Sequence, residues 1–428
     1  MDAFPSLSCR HATYAESAQR ETMRLSPQAR HTFPEGRTVD PDAPIDLPAS
    51  LSSDAGGDLL ATYWPSAIAF AVAVGLVVLL VRHQRRGRTA SRRRRVARSF
   101  GWGVPAALAL IVAVALGVNT WVGYIPSIAA AQRWLDTSPR SPVTVFPDAA
   151  VTAGSAGSIP ATGARVTTDN HGYSFLTSIP ANGRDMPDAG AWVYLPPDYD
   201  APGNTARYPV IYALHGAPGT AADWFAGGRI DQTLDALIAQ GYFPPAIVVS
   251  PDLNAGPDKV ETEPLNRPGG PQLEDFVVKD VVAWADSQLR TQPEAGKRIV
   301  AGMSAGGLGA LLYGLHHPDI FSSVVSILPY TEPYTPEVIA DAESAALNTP
   351  LTVIAARGGA TDQKIFLGQG DGEKPTEATQ IRDALRAQGQ VTTLRVLPGL
   401  DHNWTAARTI MPYGLVWIAQ QWGWEPPR

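Results

Sequence analysis

Two apolar stretches constrain this chain more than any other feature. Leu59–Val81 and Val104–Ile125 hold no charged residue, and each is long enough to cross the ~30 Å of hydrocarbon in a bilayer. Trp64, Trp102, Trp121 and Tyr124 fall near their ends, where aromatic side chains anchor a helix at the membrane interface. Between them runs "RHQRRGRTASRRRRVARSF", residues 82–100, dense in arginine and free of acid. A short basic connector of this kind stays in the cytoplasm, so the sequence predicts a two-pass membrane hairpin with both termini outside. An arginine run also suits nucleic acid, but one clamped between two spans is a topology determinant that touches anionic lipid heads.

The remainder divides around the hairpin. Residues 1–58 are rich in Ser, Pro, Asp and Ala without periodicity and read as a disordered tail. Spans at 59–81 and 104–125 enclose the loop 82–103, a small-residue linker covers 126–164, and 165–428 has the length of one α/β domain. Everything after residue 125 carries a net charge of about −11, which argues against nucleic acid as a partner. The single cysteine, Cys9, leaves no intrachain disulfide, and no clustered Cys/His set suggests a metal.

Within the last part, "RIVAGMSAGGLGALL", residues 298–312, reads as a buried strand, a sharp turn and a helix. Gly302-Met303-Ser304-Ala305-Gly306 fits G-x-S-x-G, in which a serine at a strained turn needs very small neighbours so that strand and helix can approach. It lacks the glycine spacing of a dinucleotide loop and the lysine of a triphosphate loop. A nucleophilic serine requires an acid and then a histidine later in the chain. Only His316, His317 and His402 follow Ser304. The first two lie at the far end of the helix that Ser304 opens and are expected to contact its last carbonyls. His402, in a loop after the strand Thr392–Leu397, is the expected base.

The acid should follow another strand. "LTVIAA", Leu351–Ala356, reads as a buried parallel strand, which assigns Asp362 as the acid, with Asp371 and Glu373 farther along as alternatives. The oxyanion hole needs the amide after the nucleophile, that of Ala305, and one from an early strand–helix loop. In "YPVIYALHGAPGTAADWF" that donor is the amide of Ala217, and His215 is expected to order the loop. The polar loop 251–276 is expected to approach the site with Asp258, Glu261, Glu263 and Asn266, one of which would receive the ammonium of an aminoacyl ester; the plainer reading is a solvated acidic loop.

"AWVYLPPDYD", "RYPVIYALHGAPG", "PAIVVSPDLN", "AGMSAGGLGALLYGLHHPDIFSSVVS" and "HNW" occur in the order found in a branch of the α/β-hydrolases that includes esterase D, siderophore and feruloyl esterases, and the antigen 85 mycolyltransferases, and residues 165–425 resemble that branch. The resemblance implies an α/β-hydrolase fold, Ser304, Asp362 and His402 as triad, Ala217 and Ala305 as oxyanion donors, and no metal or organic cofactor. The expected activity is hydrolysis of carboxylic esters, lipid or cell-wall components among them, by a domain on the extracytoplasmic face. The Ala, Pro and Arg content is compatible with a bacterial, especially an actinobacterial, envelope. A mycolyltransferase-like acyltransferase, a siderophore esterase and a non-catalytic scaffold are the competing readings. The Ala-Gly-Gly after the serine departs from the bulkier residues of the mycolyltransferases, which favours hydrolysis.

Overall fold

A computed structural model describes residues 40–52, 59–86, 92–128, 131–132, 171–256 and 263–424. Its catalytic-size part is one eight-stranded sheet in the order β1-β2-β4-β3-β5-β6-β7-β8. The strands are β1 (Tyr173–Ile179), β2 (Ala189–Leu195), β3 (Val210–Leu214), β4 (Ile247–Pro251), β5 (Arg298–Met303), β6 (Ser323–Ile327), β7 (Lys364–Gly370) and β8 (Val391–Leu397). Pairs β1/β2 and β2/β4 are antiparallel and all others parallel. In parallel strands the loops after β3, β5, β7 and β8 emerge at one edge of the sheet, where α/β sheets hold their ligands. Strands β3 to β6 are buried throughout, as sheets covered on both faces require.

Two layers of helix supply that cover. In chain order the helices used below are α1 (Ala49–Ser52), α2 (Trp64–Arg86), α3 (Arg92–Val122), α4 (Ile230–Ala239), α5 (Ala305–His316), α6 (Ala342–Leu347), α7 (Pro350–Ala356), α8 (Thr376–Ala387) and α9 (Trp404–Gln421). One apolar cluster joins Leu308, Leu311, Leu312 and Leu315 of α5 to Val353, Ile354, Ile381 and Leu385 of α7 and α8. The other joins Ile230, Leu234 and Leu237 of α4 to Ile410, Leu415 and Val416 of α9.

Leu351–Ala356, expected as a strand, is helix. Pro350 occupies its first turn, and the buried positions Pro350, Val353 and Ile354 recur at helical spacing on one face. The strand beside β6 is instead Lys364–Gly370.

Helices α2 and α3 form the expected hairpin, joined by a hydrogen bond from Ser66 Oγ to the Ala113 carbonyl (2.8 Å). Both are long and apolar enough to cross a membrane. Ile68, Leu108 and Ile111 are 62%, 57% and 63% exposed, which the core helices of a water-soluble domain are not.

The segment expected as a disordered tail has an ordered end. Residues 40–52 form a strap along the domain: Asp42 pairs with Arg386 (2.7 Å), Trp417 Nε1 donates to the Pro41 carbonyl (2.9 Å), and Ile45, Leu47 and Leu51 pack on the second cluster. The linker expected at 126–164 lies, apart from 126–128 and 131–132, outside the described residues.

Candidate active site

The serine sits where a small-residue cluster lets strand and helix nearly touch. Ser304, between β5 and α5, has φ 58° and ψ −122°, a conformation sparsely populated by non-glycine residues and costing of order 1–3 kcal/mol. A Cβ on Gly302 would meet the Gly306 carbonyl oxygen at 2.0 Å, and one on Gly306 the Leu214 carbonyl oxygen at 2.2 Å. The elbow is thus wedged against the end of β3. The Ser304 N–H donates to the Ile327 carbonyl (2.9 Å), which ties the turn to β6 as well.

Ala305 is the first residue of α5, so its amide has no carbonyl four residues back to pair with and points out of the helix N-terminus. Gly216 backs directly on the serine, its Cβ position 3.5 Å from Ser304 Cβ, which brings the peptide of Ala217 alongside. Five hydrogen bonds fix this loop. His215 Nε2 accepts from the Leu253 N–H (2.9 Å), so the ring proton sits on Nδ1 and is donated to the Gly216 carbonyl (2.7 Å). Asn254 Nδ2 donates to the Gly219 carbonyl (2.7 Å), and the buried Asp223 accepts from the Thr220 N–H (3.0 Å) and hydroxyl (2.9 Å). His215 therefore orders the loop and has no nitrogen left for proton transfer.

His402 follows β8, and its Nδ1 lies 2.9 Å from Glu373 Oε2. That contact places the Nδ1 proton on the carboxylate and leaves the Nε2 lone pair free to act as a base. Glu373 follows β7 at the edge where Ser304 follows β5. The assignment of the acid to Asp362 is corrected here. Because β7 starts at Lys364, Asp362 stands before the strand, at the opposite edge of the sheet, exposed, with its carbonyl bonded to Lys364 Nζ (2.8 Å). Asp371 instead accepts from the Gly399 N–H (2.6 Å) and shapes the histidine loop. The loop is coupled to the elbow through aromatic rings: Trp404 meets Trp224 edge-on at 5.3 Å, and Trp224 Nε1 donates to the Leu214 carbonyl (2.8 Å), the same oxygen against which Gly306 is wedged.

Of the residues expected to receive substrate, the two that are described do not gather there. Glu263 is fully buried and accepts from the N–H groups of Tyr334 (3.0 Å) and Thr335 (2.7 Å) and the hydroxyls of Thr335 (2.6 Å) and Tyr330 (2.8 Å), so it pins the loop after β6 and faces no ligand. Asn266 exchanges hydrogen bonds with Asp275 and lines a cavity at the far end of α5. Asp258 and Glu261 lie outside the described residues. His316 and His317, expected on the last helical carbonyls, turn toward Glu274.

One element reaches the site unannounced by the sequence. The chain leaves α3 through a turn closed by Asn119, whose side chain donates to the Ile125 carbonyl and accepts from its N–H (both 2.8 Å), and it docks at once on the two loops just described. The Tyr124 hydroxyl donates to Asp223 Oδ1 (2.9 Å), Asn403 Nδ2 to the Trp121 carbonyl (3.3 Å), and Arg408 to the Gly123 carbonyl. Burial, then the neighbouring Asp223 charge, push the Tyr124 hydroxyl far above its ordinary range and keep it a donor. Gly123 has φ +69°, and a Cβ there would meet Thr405 Oγ1 at 2.5 Å, so only glycine permits the approach.

A mostly parallel sheet, a strained serine elbow and a histidine–carboxylate pair after later strands define an α/β-hydrolase. The family described as "Putative esterase" matches residues 186–415, over half of the chain, and the chain belongs to it. Among curated relatives it is 27% identical over 218 residues to an endo-1,4-beta-xylanase/feruloyl esterase of Xylanibacter ruminicola (50% of this chain, 27% of that protein). It is 35% identical over 142 residues to Esterase Rv1288 of Mycobacterium tuberculosis (32% of this chain, 28% of that protein). The chain therefore spans little more than a quarter of these relatives' length. Similar solved structures include a ferulic acid esterase (TM-score 0.52, 22% identity, 59% of this chain and 100% of that one). An S-formylglutathione hydrolase from Agrobacterium tumefaciens has the same fold (TM-score 0.50, 20% identity, 59% of this chain and 97% of that one).

Proposed function

We propose that this protein is a serine esterase held at the outer face of a cell membrane, where it hydrolyses carboxylic esters of lipids or of the cell envelope. His402 Nε2 takes the proton of Ser304 as Oγ attacks the ester carbonyl, Glu373 stabilises the imidazolium, and the amides of Ala217 and Ala305 receive the oxyanion. The imidazolium then protonates the departing alcohol. Water, deprotonated by the same histidine, releases the acid and restores the serine. One observation carries the chemistry: Ser304 is held in a strained strand-to-helix turn that the glycine contacts around it make possible.

Membrane placement is supported by the docking of α3. The exit of the second span touches the oxyanion loop through Tyr124 and the histidine loop through Asn403, so the site lies next to the bilayer surface. The strap before α2 and the domain after α3 contact each other, which two segments flanking a membrane hairpin can do only on one side of the bilayer. The arginine-rich connector favours the cytoplasm for the opposite side. Burial of Glu263 removes one of the carboxylates offered to an aminoacyl ester, Asp258 and Glu261 lie outside the described residues, and the proposed substrate class rests on position at the membrane.

The test is turnover by the full chain in lipid nanodiscs of p-nitrophenyl esters, ester lipids embedded in the disc, and trehalose esters, with Ser304→Ala as control. Ser304-dependent hydrolysis, with embedded esters preferred over the same ester presented in solution, is the expected result. Transfer to a sugar alcohol in place of water supports the acyltransferase reading, and no Ser304-dependent turnover supports the scaffold.

A further inference from the structure

At the C-terminal end of α5, ~18 Å along the helix from Ser304, a second cluster of chemistry-bearing side chains has no part in ester hydrolysis. His316 Nδ1 lies 2.8 Å and His317 Nε2 2.9 Å from the same oxygen, Oε1 of Glu274, which enters from the helical turn Leu273–Asp275. The three ligand atoms lie within 4.8 Å of one another. They border a cavity of about 580 Å³ that also takes in Asp341 and Glu343.

The hydrogen bonds of His316 are the informative ones. Its Nε2 lies 3.0 Å from the Leu347 carbonyl, an acceptor only, so that nitrogen carries a proton. Nδ1 faces a carboxylate oxygen, also an acceptor only, and a neutral ring would turn a lone pair on it. The contact is satisfied by a second proton, on the ring or on the carboxyl, or by a metal ion that both atoms ligate.

We propose that Glu274, His316 and His317 form a binding site for a divalent transition-metal ion of the zinc type. Two imidazoles and a carboxylate are a donor set that zinc takes with solvent in the remaining position, and here that position opens on the cavity. A metal ligand histidine ordinarily donates its other ring N–H to a carbonyl or carboxylate, as His316 Nε2 does to Leu347. The carboxylates of Asp341 and Glu343 add a negative field that favours a cation. On binding, His316 gives up its Nδ1 proton to solvent, and the proton on His317 Nε2 is replaced by one on Nδ1. The ion ties the end of α5 to the turn before Phe276 and, through Leu347, to α6, so its role is structural and separate from ester hydrolysis.

The test uses the full chain purified in detergent, stripped with EDTA and titrated with Zn2+ by calorimetry and with Co2+ by visible absorption. One equivalent of Zn2+ and Co2+ d–d bands of a four- or five-coordinate nitrogen/oxygen site are expected. His316→Gln and His317→Gln should each lower affinity by more than about 100-fold. Because Glu274 is buried, Glu274→Gln is read only together with circular dichroism and Ser304-dependent turnover, and the two histidine variants decide the matter if it fails to fold. A wild-type chain that binds no more metal than the His316→Gln/His317→Gln double variant overturns the proposal and leaves a protonated clasp.

Discussion

Exchanging Glu373 for Gln removes a charge while keeping a hydrogen-bond acceptor for His402 Nδ1, so it isolates what the acid contributes electrostatically. Two unit charges about 4 Å apart interact by ~1 kcal/mol in water and ~4 kcal/mol at an effective dielectric near 20. With side chains 46% and 35% exposed, Glu373 and His402 belong between these limits, at about 2–3 kcal/mol. At ~1.4 kcal/mol per tenfold in rate, Glu373→Gln lowers kcat by about 30- to 150-fold. The loss is smaller than the ~10⁴-fold seen for a fully buried triad acid, because water partly replaces the charge. KM changes little, since the carboxylate touches the histidine and not the ester. Asp362→Asn, at the other edge of the sheet, stays within about twofold of wild type. Initial rates on a p-nitrophenyl ester, with active sites counted by a fluorophosphonate, measure both. A loss in Asp362→Asn equal to or greater than that in Glu373→Gln would refute the placement of the acid.

Glu263→Gln turns one of two saturated buried oxygens into a donor facing other donors; at about 1.5–3 kcal/mol for each charge-assisted bond lost, the domain is destabilised by about 3–5 kcal/mol, read from urea unfolding. The folded fraction keeps the same ratio of turnover on aminoacyl and simple esters, and a selective loss on aminoacyl esters contradicts the structural role. Tyr124→Phe leaves Asp223 Oδ1 with only the Thr220 hydroxyl, which loosens the oxyanion loop; kcat falls by several-fold, corresponding to about 1 kcal/mol, with KM on soluble esters unchanged. The Asp42 carboxyl, held below its ordinary value chiefly by its hydrogen bond to Arg386, contributes to strap docking at any pH above the unfolded carboxylate range. That contribution is lost as pH falls through the lower folded value, so the protection of the Trp417 indole N–H, its exchange rate measured against a free indole at the same pH, drops in acid and stays constant between pH 6 and 8.

Where chemistry dictates local sequence, the site was legible. An elbow forces small residues around its serine, and Gly302, Ala305, Gly306 and Gly307 announce it. The acid was misplaced by one apolar run. LTVIAA has no internal periodicity that separates a short strand from a short helix, whereas KIFLGQG, the true strand, is diluted by Gly and Gln. Shifting the strand moved the acid from Asp362 to Glu373 and across the sheet. Glu263 failed for a different reason. A carboxylate in a polar loop reads as solvated, and the four donors that bury it belong to Tyr330, Tyr334 and Thr335, about seventy residues on. His316 and His317 likewise find Glu274 some forty residues upstream, a meeting that no local pattern encodes.

The apolar two-helix hairpin and the hydrolase domain were each readable, but their contact was not, and it changes what the hairpin can do. A tether joined by a flexible linker confines an enzyme to a membrane without orienting it. Here the chain passes from Val122 to the oxyanion loop within two residues, through a glycine that no other residue can replace without collision with Thr405. On the proposed membrane placement, an orientation fixed at that point would bring the serine to lipid-borne esters at a defined height, lowering the cost of aligning substrate and nucleophile. It follows that lengthening the chain between Gly123 and Tyr124 with flexible residues should slow hydrolysis of embedded esters while sparing soluble ones. Equal slowing of both would mean that the docked turn serves the catalytic loops alone.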